Sequence, residues 1–401
     1  MTTPWLFIVG VGEDGLAGLS ASARSAFDTS EVIIGGKRHL AMLGKDKRPQ
    51  VLWDSPLGKT LSKIKRLKGK RTCVLATGDP MTFGVGVTLI KKFGPEQCAV
   101  YPHQSAFSLA AARLGWSLAD VNTLTLHGRP LSNLNRHLRP NTRLLALAND
   151  GHTANQVSKM LTEAGYGESQ ITVFEHMGGP KEKRHEGIAK TWKRKSKDLN
   201  TIAISCVADP SEPRRAKLAG LPDDLYQHDG QLTKQEVRAV TLAALSPAPN
   251  DILWDVGAGA GSVAIEFLRA ERTAKAIAIE HNAKRIKNIK ANAQNLGVEH
   301  LKIIQGRAPQ TLMDLEKPTV IFIGGGVGNA KVLQTCWRVL KPGGRLVANS
   351  VSIEGETRLF DMMRRYGGTM TQVAISHLDH IGDLHAWRAM RPVIQYRVTK
   401  T

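Results

Sequence analysis

Several things are scarce in this chain. Its four cysteines, Cys73, Cys98, Cys206 and Cys336, are scattered, and none forms C-x-x-C. That argues against a zinc knuckle or a paired redox site, so no metal is expected and a reduced, cytoplasmic protein is. Apolar runs are short. None reaches the roughly 18 residues of a membrane span. The opening MTTPWLFIVG runs straight into a strand-like segment, without the basic stretch or cleavage site of a signal peptide. Aromatic residues are only 5% of the chain, which disfavours the stacking platforms that hold single-stranded nucleic acid. Acids are outnumbered, 35 against 55 Lys and Arg, leaving a net charge of +20. The surplus favours an acidic partner. The cations are nevertheless dispersed, as in KIKRLKGKR at 63–71 and KRIKNIK at 284–290, and most read as solvated faces and loops.

What is present points to an α/β protein of two or three domains. WLFIVG, EVIIGG, TCVLA (72–76) and QCAVYP read as strands. Between them GLAGLSASARSAF, PMTFGVGVTLIKKFG and SAFSLAAARLG read as helices, so the sheet should be parallel. A second group of strands follows in VNTLTLHGRP, TRLLALAND, ITVFEHMGG and NTIAISCVAD. Residues 180–198 read as a loop or short hairpin. Residues 211–225, rich in Pro and charge without periodicity, read as a linker. The expected division is a two-part domain at 1–210, that linker, and a further domain at 226–401. No short tandem repeat is visible.

The most informative stretch is DILWDVGAGAG, 251–261. A short apolar strand meets Gly257, Gly259 and Gly261, and SVAIEFLRA follows with helical spacing. Glycine permits a tight turn close to a ligand, and a helix start offers free N–H groups. The next strand, KAIAIE, ends in Glu280, placed to hold ribose hydroxyls. A dinucleotide site would want a glycine at 262, where Ser262 stands. The G-x-G-x-G spacing after Asp255 instead resembles the first motif of Rossmann-like S-adenosylmethionine (SAM) methyltransferases, as does LKPGG at 340–344 before RLVANS.

The first half carries a different pattern. ATGDPMTFGVG resembles the GDP-x-x-[YF]-G loop of the tetrapyrrole methylases. FIVGVGEDG, PHQSAFSLAAARLGW, LHGRP and LLALAND match further pieces of that family in order. Glu13 and Asp14 occupy a loop where the family commonly has proline. Read from the residues alone, Asp79 either meets a ligand or caps the following helix.

Two unlike SAM modules in one chain resemble the decarboxylating precorrin-6Y methyltransferases of cobalamin biosynthesis. The resemblance covers nearly the whole chain. It implies a tetrapyrrole methylase-type two-part α/β domain joined to a Rossmann-like SAM methyltransferase domain. It implies methylation of a polycarboxylate tetrapyrrole at carbons 5 and 15, with loss of carbon dioxide from the acetate on carbon 12, and one SAM per domain. The contacts it implies are Gly78, Asp79, Pro80, Ser105 and Ala106 in the first half. In the second they are Thr233, Gly257, Ala258, Gly259, Ala260, Gly261, Glu280 and Ala308. Thr233 also reads as a helix N-cap, Glu280 as an ordinary strand-end acid, and Gly324 to Gly326 as a plain turn or a wall beside the methyl group. His103, His127, His228, His281 and His377 are candidate acids or bases, and none is assigned. No nucleic acid or membrane partner is expected, and a homo-oligomer is left open. The competing readings are an RNA methyltransferase gripping phosphates with the basic surface, and a nicotinamide-dependent dehydrogenase.

Overall fold

The structure, a computed structural model, describes residues 3–54 and 56–401. Its contacts group the chain into two units. One contains Met1–Arg129 and Asn141–Pro210; the other contains Pro130–Pro140 and Ser211–Thr401. Among the described residues no helix is long and apolar enough to cross a membrane.

The first unit has two sheets. Strands β1 (Leu6–Val11), β2 (Val32–Gly35), β3 (Gln50–Leu52), β4 (Thr72–Thr77) and β5 (Cys98–Tyr101) form a parallel sheet of order β3-β2-β4-β1-β5. Both faces of β1 are buried, so its residues are continuously apolar rather than alternating. Phe7, Val9 and Val11 pack with Ala23, Ala26 and Phe27 of α1 (Ala21–Asp28). Leu6 and Ile8 pack on the other side with Ile64 and Leu89, after helix α2 (Lys37–Ala41), from α3 (Leu57–Arg66) and α4 (Val85–Phe93). Each fully buried Leu, Ile or Phe contributes about 1.5–3 kcal/mol.

Two helices start later than expected. Ser20 caps α1, its Oγ accepting from Ala23 N at 3.3 Å, which detaches the short turn Gly15–Gly18. Residues 79–84 close a loop before α4, with Gly86 N donating to Pro80 O at 3.0 Å.

Helix α5 (Ala106–Leu114) leads to the second sheet. That sheet has order β6-β7-β10-β8-β9, from β6 (Val121–Thr125), β7 (Arg143–Leu147), β8 (Gln170–Glu175), β9 (Lys183–Ile188) and β10 (Asn200–Ser205). Helix α6 (Thr153–Glu163) joins β7 to β8. Only β6 and β7 pair in parallel; β10 runs antiparallel between β7 and β8. Part of 180–198 is thus a true strand, β9, antiparallel to β8.

In the second unit, α7 (Gln235–Leu245) precedes a seven-stranded sheet of order β13-β12-β11-β14-β15-β19-β16. The parallel part is β11 (Ile252–Val256), β12 (Lys275–Glu280), β13 (Lys302–Gln305), β14 (Val320–Ile323) and β15 (Arg345–Ser350). Helices α8 (Ser262–Ala270) and α9 (Ala283–Asn295) cover one face, and α10 (Ala330–Val339) and α11 (Ile353–Tyr366) the other. Strands β16 (Thr369–Val373) and β19 (Val393–Thr399) close it antiparallel, and β17 (Ser376–Ile381) with β18 (Leu384–Ala389) form a separate hairpin.

The stretch 211–225, expected as a linker, is packed into this unit. Leu221 is buried, and Gly220 N and Leu221 N donate to the Glu266 carboxylate at 2.6 and 3.1 Å. The Tyr226 hydroxyl joins them at 2.8 Å. Residues 130–140, expected with the first domain, also pack within the second unit. Leu134 and Leu138 are fully buried, and Arg136 Nη2 donates to Arg269 O at 3.1 Å.

Candidate SAM sites

In the second unit the chain steps from β11 outward to β12 and β13, then returns to β14 on the other side. The crevice at the ends of β11 and β14 is therefore the switch point where open α/β sheets bind ligands. Gly257 and Gly259 lie there at φ +72° and +57°, a region that favours glycine. A Cβ on Gly257 would sit 2.7 Å from Gly325 Cα, and one on Gly259 2.9 Å from Gln231 O. These contacts leave room for backbone alone and open a cavity of about 570 Å³. That volume falls in the range of small-molecule sites, about 300–1,000 Å³.

Thr233, Gly257, Ala258, Gly259, Glu280 and Ala308 all line this cavity. Thr233 is not the helix cap; Lys234 holds that position, without a side-chain bond. Buried Glu280 has three backbone partners. Its Oε2 accepts from Gly259 N at 3.0 Å, and its Oε1 accepts from His281 N and Asn282 N at 2.9 Å each. A carboxylate offers about four acceptor positions, so one remains on Oε2. The sequence showed an acid at a strand end; that it also rigidifies the glycine loop is visible only in three dimensions.

Ala260 and Gly261 lie outside the lining. Ala260 is buried and its carbonyl accepts from Asn292 Nδ2 at 3.0 Å. Gly261 lets α8 approach α9, since a Cβ there would meet Ile289 Cγ2 at 2.8 Å. Both serve packing rather than the cavity. Gly324 to Gly326 do line it, as do Asn349 and Arg391, which sequence reading missed. Asn349 could have been found from its place near the end of β15, on the ligand-facing edge of the sheet. Arg391 carried no local signal.

Asp255, just before the glycines, is completely buried. Its Oδ2 accepts from Ala264 N at 3.1 Å, and its Oδ1 has no partner. Burial lifts its carboxyl from the usual 3.8 to about 7; the Ala264 N–H opposes this, and the Glu280 charge adds to it. The folded chain thus keeps a proton that the unfolded chain releases at lower pH. The associated stability is complete below the unfolded value and is lost as pH rises through about 7. An Asp255→Asn protein should therefore lose less thermal stability than the parent between about pH 5 and pH 8. Equal losses in paired melting curves would reject this assignment.

In the first unit Gly78 lies against Ser105 and Ala106, whereas Asp79 and Pro80 bond within their own loop, to Met81, Thr82 and Gly86. A Cβ on Gly78 would lie 3.1 Å from Gln104 O and 3.6 Å from Ser105 Cα. Gly78 N donates to Val11 O at 3.0 Å, so the loops after β1 and β4 are adjacent. The polar side chains here are occupied locally. Asp79 Oδ1 accepts from Met81 N at 2.8 Å and Oδ2 from Thr82 Oγ1 at 2.6 Å. Ser105 caps α5, accepting from Ser108 N at 3.0 Å. A nucleoside bound here would depend mainly on backbone groups.

Of the five candidate histidines, His281 lines the second-unit cavity, with Nδ1 3.1 Å from Glu280 Oε1. His103 Nε2 lies 3.3 Å from Asp14 Oδ2, and His228 Nδ1 accepts from Gly230 N at 3.1 Å. His377 Nε2 lies 3.7 Å from Glu236, and His127 is exposed.

Known proteins share both halves. The tetrapyrrole (corrin/porphyrin) methylase family matches residues 6–191, and the precorrin methyltransferase domain matches 224–400. A precorrin-6Y C(5,15)-methyltransferase (decarboxylating) of a Sinorhizobium species is 40% identical, over all of this chain and 97% of that one. The protein of the same name from Mycobacterium tuberculosis is 37% identical, over 98% of this chain and all of that one. The solved C-terminal domain of the Rhodobacter capsulatus precorrin-6Y C5,15-methyltransferase is 40% identical, covering 46% of this chain and all of that one, with a TM-score of 0.44. Matched from end to end by such relatives, the chain belongs to the precorrin-6Y C(5,15)-methyltransferase (decarboxylating) family.

Proposed function

We propose that this chain methylates a reduced precorrin at carbons 5 and 15 and removes carbon dioxide from the acetate on carbon 12. The observation that carries the reading is the full-length similarity to decarboxylating enzymes of that name. We further propose two SAM sites, one per unit, with the second unit performing the carbon-15 methylation and the decarboxylation.

Bound SAM supplies a methyl group already activated on a sulfonium. In the second unit Gly257 to Gly259 present backbone at close range, and the remaining acceptor position of Glu280 suits ribose hydroxyls. Around them, cavity walls hold the acceptor carbon in line and keep water out. Two cations on the wall, Arg307 and Arg391, form no ion pair among the described residues. Arg285, by contrast, is held by Asp229 at 2.9 Å. Two unpaired guanidinium groups fit a substrate rich in acetates and propionates. The four buried, unbridged cysteines support a reducing, cytoplasmic setting.

The test is incubation with purified precorrin-6Y and isotope-labelled SAM, followed by mass spectrometry. Two labelled methyl groups gained and one carbon dioxide lost per substrate are expected. A product with one methyl, or with its carboxylates all intact, would refute the reading.

A further inference from the structure

One polar chain in the first unit has no part in the site described above. It starts at Thr77, the residue before Gly78. Arg38 Nη2 donates to Thr77 Oγ1 at 2.9 Å and to His39 Nε2 at 3.1 Å. Arg38 cannot accept, so His39 Nε2 is unprotonated and also takes the Thr77 hydroxyl proton, at 3.2 Å. Burial, with the Arg38 charge, lowers the His39 pKa to about 4, in keeping with a neutral ring. The Arg38 Nη1 group donates to Glu13 Oε1. Glu13 Oε2, in turn, lies 2.7 Å from His176 Nδ1.

The chain ends at a ring nitrogen. With Nδ1 donating to Glu13, Nε2 is the accepting nitrogen of the neutral His176 ring, and it has no hydrogen-bond partner among the described residues. His176 follows β8 at φ +49°, a conformation uncommon outside glycine and often found at functional sites. Gly179 then allows close approach, since a Cβ there would lie 2.6 Å from Glu13 Cβ. Glu13 stands two residues past β1, whose last residue accepts from Gly78 N. An orienting carboxylate and an imidazole with one nitrogen left over are the parts of a general base, and Glu13 ties this pair to the strand whose end meets Gly78.

The reaction needs such a group. Carbon 5 is a bridge carbon of the macrocycle and carries hydrogen. When it takes the methyl group, the carbon–sulfur bond breaks and its electron pair stays on sulfur. The substrate is left with one extra positive charge. Conjugation returns when the carbon–hydrogen electrons fall back into the ring and the hydrogen departs as a proton.

We propose that His176 Nε2 receives this proton in the carbon-5 methylation, with Glu13 and Arg38 as positioning residues. The proposal rests on assigning that methylation to the first unit. His176→Gln keeps a donor toward Glu13 and removes the base. It should slow carbon-5 methylation at least about 100-fold, the lower range for lost acid–base catalysis. SAM stoichiometry by calorimetry should stay at two per chain. With deuterium at the bridge carbon, the variant should show a larger isotope effect than the parent, because proton loss becomes limiting. Glu13→Gln should lower kcat with little change in KM. A Gly78→Val protein separates the two ideas. If it loses carbon-5 methylation while His176→Gln stays within threefold of the parent, the base assignment is wrong and the first-unit reading stands. If Gly78→Val keeps carbon-5 methylation, both are wrong.

Discussion

A Gly259→Asp protein should methylate its substrate once and release no carbon dioxide. Residue 259 is held at φ +57°, and any Cβ there meets Gln231 O at 2.9 Å. Forcing a side chain into that backbone costs about 1–3 kcal/mol. The new carboxylate would also lie beside Glu280, whose Oε2 accepts from the residue-259 N–H. Like charges in a partly dry pocket, together with the strained loop, bring the penalty to about 4 kcal/mol, close to a thousandfold. Calorimetry should then show one SAM per chain rather than two. Carbon-15 methylation and carbon dioxide release should fall together by about a thousandfold, while carbon-5 methylation stays within about twofold. A variant that still performs all three steps would overturn the division of labour between units.

The second large effect concerns stability. Arg238 is fully buried, and its Nε donates to Glu266 Oε1 at 2.5 Å. Arg238 also donates to the carbonyls of Leu221 and Thr233 and to Asp223. Glu266 in turn holds Gly220 N, Leu221 N and the Tyr226 hydroxyl. Removing one member leaves an uncompensated buried charge, at a cost of about 3–5 kcal/mol. Glu266→Ala should destabilise the second unit by that amount in urea unfolding and weaken SAM binding there, because the Thr233 wall is tied to Arg238. Simple buried pairs can often be exchanged for apolar residues without loss. Here the double change Arg238→Met with Glu266→Leu should remain destabilised, because two backbone N–H groups and a phenol would lose their acceptor. Full recovery in the double variant would show that the hub is an ordinary ion pair.

How much of this was legible beforehand depended on whether the signal was local. The stretch Ile252 to Ala270 could be read because a strand, three glycines and a helix each leave a mark within a few residues. Assigning its glycines one by one was harder. Gly257 and Gly259 face the cavity, whereas Gly261 answers to Ile289, a neighbour 28 positions away. The stretch 211–225 looked like a linker because its order comes from Glu266 on α8, not from any period of its own. His176 escaped notice for the same reason. Its partner Glu13 is 163 residues distant, and nothing near either one announces the other.

The placement of Pro130–Pro140 with the second unit has a topological consequence. The backbone passes from one body to the other three times, after residues 129, 140 and 210. Two genes joined end to end would need only one passage. The bodies are therefore stitched rather than strung. A nick after residue 210 would free residues 211–401 yet leave residues 130–140 of the second unit tethered to the first, and a chimaera that swaps either half for a homologue's must decide which parent supplies the borrowed loop.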